Sequence, residues 1–418
     1  MRSHAAGPPL AVLFLVNVLN YYDRQALGAV AEPLRREFHL SDAQLGGLGT
    51  AVIVLYAVAG LPLGRLADTG SRRKLLAIGV TVWAGLTALG GLAASYAMLA
   101  ATRLGVGIGE AVCAPAANSW IGSLVPAGQR ARAMAGFMMA VPVGLMLSSA
   151  VSGPAAQAWG WRVALALAAA PALLLVPAVL WLKEPARSPV KPGVSGPSPR
   201  MLLRIPALWW IAASGAIANF ALYSFSAFLP AFLKRYHGMS VGQAGLWTGI
   251  GSGVAGVLGA VLAGFWGDRI LRRWSNGRLL LAAGAALLAA PLAFLAIAMP
   301  AGNAAGALAL IMPAYGLLQT YYGLVYAAIN DVVEPGLRGT AMAGYLLVTY
   351  LGGAAFGPLL TGMLSDHFAR QAAGLAVITE AAKAQGLHQA MYVVPAMAVV
   401  LAAVLAAGAR ADRTLRFL

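Results

Sequence analysis

Apolar residues in this chain run in stretches of about twenty or more, separated by short polar breaks that carry most of the charge. Crossing the hydrocarbon of a bilayer takes about 20 apolar residues in a helix, and the strand-like alternation of an outer-membrane barrel is absent. Twelve such segments are predicted, at residues 9–34, 43–67, 74–95, 97–124, 130–154, 160–182, 206–233, 241–267, 278–299, 304–330, 339–364 and 386–409. The long internal connection, 183–204, is rich in Pro, Gly, Ser and basic residues and reads as a flexible linker. The expected fold is an all-α membrane protein with twelve transmembrane helices in two pseudo-symmetric six-helix bundles. Its domains are an N-terminal bundle, 1–182, a cytoplasmic linker, 183–204, and a C-terminal bundle, 205–418.

The two halves repeat one another. Gly64-Arg-Leu-Ala-Asp68 with Arg72-Arg73 returns as Gly264-Phe-Trp-Gly-Asp268 with Arg272-Arg273. Ala133-Met-Ala-Gly-Phe137 returns as Ala341-Met-Ala-Gly-Tyr345, which sets Arg130 against Arg338. Ser41-x-x-Gln44 returns as Ser240-x-x-Gln243. Like halves around a central path describe a rocker-type transporter.

Composition sharpens the class. The chain is 60% hydrophobic and 10% charged, against roughly 25% charged in soluble domains. Its net charge is +16, but the basic residues sit in short loops, where they signal topology rather than nucleic-acid binding. With both termini cytoplasmic, the inner loops and termini hold 20 basic residues and the outer loops seven. That asymmetry predicts a multi-pass protein of the cell inner membrane, oriented this way. The first apolar run is too long for a cleavable signal peptide. Cys113 is the single cysteine and reads as a packing residue. No metal spacing and no nucleotide-binding loop is found, so no cofactor is expected.

Several motifs carry a resemblance. Gly64-x-x-x-Asp68-x-x-x-Arg72-Arg73 is similar to the signature loop of the major facilitator superfamily. Gly144 and Gly153-Pro154 resemble that superfamily's antiporter-associated pattern. Asn20-Tyr-Tyr-Asp23-Arg24, Leu40-Ser-Asp-Ala-Gln44 and Arg103-Leu-Gly-Val-Gly-Ile-Gly-Glu110-Ala resemble the spinster subfamily. The resemblance implies a major facilitator fold and an amphipathic, lipid-like cargo. Animal relatives of that subfamily export sphingosine-1-phosphate and lysophospholipids.

The candidate site begins with charge. Of 13 acids, Asp23 and Glu110 fall well inside apolar segments. A charge in such a place is costly by several kcal/mol unless paired or hydrated, and it usually marks a substrate or ion path. Asp23, Arg24, Glu110 and Arg103 are the candidates for substrate binding and proton coupling; the competing reading is a static ion-pair network. Arg103 precedes Glu110 by seven residues, so the two share a helix face. Asn20, Tyr21, Asn219, Tyr223, Gln319, Tyr322 and Tyr350 are expected to line the substrate path. Gly64, Asp68, Arg72, Arg73, Arg130, Asp268 and Arg272 are expected to form the cytoplasmic gate. Gly105-x-Gly107-x-Gly109 reads as tight helix packing, since no strand precedes it as a dinucleotide loop would require.

The function expected is secondary active transport, not enzymatic catalysis. An amphipathic or hydrophobic organic solute would move by rocker-switch alternating access, with protons as the candidate coupling ion. Partners would be that solute and membrane lipid, not nucleic acid, and the chain would act as a monomer. One rival keeps the fold and carries a small organic anion or drug-like compound with protons. A more distant rival is a polytopic enzyme acting on lipid, which would need a convergent nucleophile and base that the chain lacks.

Overall fold

The computed structural model describes residues 7–126, 129–184, 199–271, 273–274, 276–333, 337–374 and 376–415, and these contain helices and no β-strand. In chain order the α-helices are α1 (Gly7–Ala29), α2 (Ala31–Glu37), α3 (Asp42–Thr69), α4 (Arg72–Gly90), α5 (Tyr96–Glu110), α6 (Cys113–Leu124), α7 (Arg130–Met138), α8 (Ala140–Trp159) and α9 (Trp161–Trp181). They continue as α10 (Pro206–Arg235), α11 (Val241–Leu271), α12 (Gly277–Ile297), α13 (Ala304–Val332), α14 (Arg338–Thr349), α15 (Phe356–Ala373), α16 (Glu380–Met391) and α17 (Val393–Leu415).

Eleven stretches among the described residues are long and apolar enough to cross a membrane. Helix α1 has the length, 23 residues, but Asn17, Asn20, Asp23, Arg24 and Gln25 lower its hydropathy. Counting α1, the all-α, twelve-span architecture expected from the apolar pattern is present. Some limits shift. The first segment ends at Ala29, and α2 follows as a separate short helix. The last span starts at Glu380 rather than 386, because Thr379 caps it: its hydroxyl accepts from the Ala382 amide at 3.2 Å.

Two compact units form: Met1–Ser41, Gly47–Lys191 and Ser240–Ile250 make the first, and Asp42–Gly46, Pro192–Met239 and Gly251–Leu418 the second. The first turn of α3 thus clusters with the second unit, and the first turns of α11 with the first. In lipid there is little hydrophobic drive between helices, so close packing of small residues holds them. In the first unit α1 packs on α8, and α4 packs on α5 and α9. A Cβ on Gly144 of α8 would press on the backbone of Val18 in α1 and come 2.8 Å from Tyr21 Cβ. Trp83 and Trp120 are fully buried at the centre, with Leu13, Leu76, Val80 and Ile121 around them.

In the second unit α10 packs on α17, and α12 on α13 and α17. Between α14 and α15 the helix widens into one π-turn, Tyr350–Ala354, where Gly353 meets the Ala216 carbonyl of α10. The repeated aromatic is buried in both units. Phe137 is 3% exposed, and its carbonyl accepts from Asn17; Tyr345 is 2% exposed, and its hydroxyl bonds Tyr321.

The start of α4 is anchored by Glu184, a residue in the segment expected to be a loose linker. Its carboxylate accepts from the Arg72 amide (3.0 Å), Arg72 Nε (2.9 Å) and the Ser71 hydroxyl (2.8 Å). Arg72 is buried and also donates to the Ser119 carbonyl and the Ser123 hydroxyl. Arg72 is therefore an internal brace of the first unit. Burial raises the Glu184 carboxyl, but the Arg72 and Ser71 side chains and the Arg72 and Arg73 amides outweigh it, and it falls to about 2. The acidic group also suits the positive end of α4. Glu184→Gln is expected to lower the unfolding free energy by roughly 1–2 kcal/mol, read as a lower melting temperature in detergent. A depressed carboxyl stabilises fully above its ordinary value of 4.5 and loses that contribution as pH falls towards about 2. The wild-type and variant melting temperatures should converge across that window; a gap that widens on acidification would contradict the assignment.

Candidate functional site

Asp23 and Arg24 are neighbours on α1, so their side chains leave the helix about 100° apart and meet different partners. The Asp23 carboxylate accepts from the Thr87 hydroxyl of α4 at 2.6 Å and faces Arg103 Nη1 of α5 at 3.6 Å. Arg24 Nε donates to Glu110 Oε2 at 2.8 Å. Two acids and two bases thus balance in one unit, joined as two crossed pairs. Arg103 and Glu110 lie about 10 Å apart along α5, a distance spanned by the long guanidinium side chains.

Burial is nearly complete. The Asp23, Arg103 and Glu110 side chains are 2%, 1% and 0% exposed, whereas Arg24 is 11% exposed. The Arg24 guanidinium lies over two rings, 4.1 Å from the centre of Tyr56 and 4.9 Å from that of Tyr21. The pairing is incomplete. Asp23 Oδ1, Arg103 Nε, Arg103 Nη2 and Glu110 Oε1 are buried with no hydrogen-bond partner, and the 3.6 Å Asp23–Arg103 contact is too long for a hydrogen bond. A half-satisfied buried ionic network costs stability. Asn20 is buried alongside on α1, and its Nδ2 also lacks a partner.

Glycines let the helices close on this cluster. A Cβ on Gly107 would strike the Val52 backbone of α3, and one on Gly109 would come 2.7 Å from the Trp83 amide of α4. Cys113 is buried.

In the second unit the expected lining residues form a tyrosine wall. Tyr322 donates to Asn219 Oδ1 at 3.1 Å, and Asn219 Nδ2 donates to the Gly215 carbonyl at 2.9 Å. Gln319 donates to the Tyr315 hydroxyl at 2.9 Å. Tyr223 meets Tyr350 edge-on, with ring centres 6.4 Å apart. Tyr326 links Tyr322 to Tyr345.

Of the expected gate residues, Arg72 and Arg73 hold the α4 start, and Gly64 has open space around its Cβ position. The side chains of Asp68, Arg130 and Asp268, and the whole of Arg272, lie outside the described residues. Trp161 at the start of α9 is buried, and its indole donates to Glu37 at 2.6 Å.

Three features escape sequence reasoning. Tyr56 and Thr87 carry no local signature. The third is a charged cluster in the second unit. There Arg235 grips the Asp42 carboxylate through both terminal nitrogens (2.7 and 2.8 Å), and Ser365 donates to it at 2.6 Å. Asp366 accepts from the Asp42 and Ala43 amides, each at 2.9 Å. Its sequence signal is faint: an acid opening one span and a base closing another. Among the described residues no group of His, Cys, Asp and Glu could hold a metal ion.

A balanced charge cluster inside an apolar helix bundle is a feature of membrane carriers, and comparison with known proteins points the same way. The sequence pattern of the Major Facilitator Superfamily matches residues 13–356, and the chain belongs to that superfamily as a spinster-like, multi-pass transporter with an alternating-access fold. It is 34% identical over 366 residues to a protein of Mycolicibacterium smegmatis named an MFS-type efflux pump, covering 86% of this chain and 85% of the relative. It is 31% identical over 395 residues to human protein spinster homolog 1, covering 86% of this chain and 73% of that one. The solved structure of a bacterial homolog to the human lysosomal transporter Spinster, inward-facing and unoccupied, superposes with a TM-score of 0.86 at 27% identity over 98% of each chain.

Gly107 and Gly64 test the packing. Gly107→Ala is expected to cost about 1–3 kcal/mol, because the contacted atoms are backbone. Gly64→Ala should leave the melting temperature unchanged or slightly raised. Equal melting temperatures for the two variants would refute the close approach of α5 to α3.

Proposed function

We propose that this protein is a secondary active transporter that exports an amphipathic, lipid-like or hydrophobic organic solute by rocker-switch alternating access, in exchange for protons. The observation that carries this reading is the incomplete pairing of Asp23, Arg103 and Glu110 inside the first unit. A network kept only for stability would satisfy its atoms or be replaced by apolar packing. The names of the relatives, an efflux pump and spinster homologues, support export of such a cargo.

Arg24 is the most exposed member of the cluster, and it is paired with Glu110. A zwitterionic head group splits this pair: its anionic part takes the Arg24 guanidinium and its cationic part takes the Glu110 carboxylate. A proton on Glu110 and the cationic part of the cargo then exclude each other. That exclusion is what exchange requires. Asn219, Tyr223, Gln319, Tyr322 and Tyr350 of the second unit remain proposed as lining of the substrate path. Asn20 and Tyr21 join the charged side of the path. Asp68, Arg130, Asp268 and Arg272 remain proposed for the cytoplasmic gate. The chain acts as a monomer in the bacterial inner membrane, with both termini cytoplasmic.

A second reading is favoured by the exposure of Arg24 between Tyr21 and Tyr56. A small organic anion could use that guanidinium as its anchor and travel with a proton. The direction of proton flow separates the two.

The test is uptake into reconstituted vesicles, with lysophospholipids, amphipathic drugs and simple organic anions as cargo, with and without a pH gradient. Asp23→Asn and Glu110→Gln should each abolish gradient-driven transport, a loss of at least about 100-fold, while eluting as folded protein. Arg24→Lys should weaken it, since an ammonium lacks the planar fork. Normal gradient-driven transport by both carboxyl variants would end the proton-coupled reading.

A further inference from the structure

We propose that Thr87 and Gly90, at the end of α4, are positioning residues that form a socket for the Asp23–Arg103 pair and keep Asp23 as a fixed anion. The proposal rests on the proton-coupled reading above and adds to it a division of labour between the two ion pairs.

The first observation is the direction of a hydroxyl. A helical threonine ordinarily donates to a carbonyl in the preceding turn. Thr69, Thr81, Thr102, Thr320 and Thr349 do so, at 2.6–2.9 Å. Thr87 does not; it donates to Asp23 Oδ2 at 2.6 Å and is fully buried. A donor held against a carboxylate favours its charged form.

The second observation is space. A Cβ on Gly90 would lie 2.9 Å from Arg103 Nη2 and 3.1 Å from the Thr102 hydroxyl. Glycine at this position leaves room for the guanidinium to lie beside α4 and face Asp23. One helix end thus supplies a hydrogen bond to the acid and room for its base.

Asp23 is faced by Arg103 and Glu110 from α5 and by Arg24 and Tyr22 from its own helix. Helix α8 contributes Ser152, which bonds Tyr22, and has no charged residue. Arg162, the charged residue of α9, is bound to Glu37. Helix α1 also touches α6, which has no charged residue, α2, whose Glu32 and Arg35 pair with each other, and α7, whose Arg130 and Arg132 side chains lie outside the described residues. The contrast with Glu110 is then direct. Each carboxylate has one unpartnered oxygen, but Glu110 has Arg24 as its partner, whereas Asp23 has the Thr87 hydroxyl besides Arg103. Asp23 is the anchored anion, and Glu110 is the carboxylate that is available to exchange.

The test is an infrared titration of the purified full-length protein in lipid nanodiscs, following the protonated carboxyl stretching band, with Asp23→Asn identifying the Asp23 component. In Thr87→Val the charged form loses its donor, so the Asp23 band should titrate about one pH unit higher, about a tenfold change in proton affinity. Gly90→Ala should shift it the same way, because the guanidinium tip, the flexible end of a side chain, is pushed aside. Thr87→Ser should restore wild-type behaviour. An Asp23 band that titrates as in wild type in both Thr87→Val and Gly90→Ala overturns the socket. If Thr87→Val is not recovered folded, Gly90→Ala decides alone. Gradient-driven transport is measured on the same variants and on Glu110→Gln. A moved Asp23 band with gradient-driven transport retained in Glu110→Gln upholds the socket and defeats the coupling reading; a moved band with that transport lost in Glu110→Gln supports the two together.

Discussion

The structure depends on balancing four charges that are almost entirely buried inside an apolar helix bundle. In a medium of low polarity an unpaired carboxylate or guanidinium is costly, and removing one partner leaves the other exposed to that cost. Asp23, Arg24, Arg103 and Glu110 meet the demand by balancing two against two within the first unit. The rest of that unit follows from the requirement. Helix α5 must come close enough to α1 for side chains to meet, so it carries glycine where it passes α3 and α4. Helix α8 must lie against α1 just beside the charged turn, and Gly144 permits it.

The second unit meets its polar demands differently. Ser214, Tyr321 and Tyr345 form a buried hydroxyl chain with links of 2.9 and 3.0 Å. Asn219 and Tyr322 form a neutral pair beside it. Hydroxyls and amides can both donate and accept, so such a network closes without net charge. The internal repeat survives in backbone and packing, as Phe137 and Tyr345 show, while the chemistry of the two units has diverged.

Charge also organises the ends of helices. Glu184 holds the start of α4 through Ser71 and Arg72. Asp366 receives the first amides of α3, and Asp42 is gripped by Arg235. These residues look unremarkable in sequence because their partners are far away: Glu184 is 112 positions from Arg72, and Asp366 is 324 from Asp42. The linker composition around Glu184 suggested a loose chain, and composition says nothing of one side chain that caps a distant helix.

Much of this molecule was legible in the chain itself. Apolar runs of bilayer length dictate helices, because every backbone group in lipid must find its partner locally. The repeat of Gly64–Asp68 in Gly264–Asp268 marked two related halves, and the rarity of acids in apolar segments singled out Asp23 and Glu110. Only the tertiary structure decided the pairing. Adjacent residues on a helix diverge, so Asp23 went to Arg103 and Thr87 while Arg24 went to Glu110 and Tyr56. The cost of placing a charge in lipid is a property of one residue and its neighbours in the chain, so a sequence records it. Which opposite charge relieves that cost depends on helix rotation and close approach, which arise only when the bundle packs.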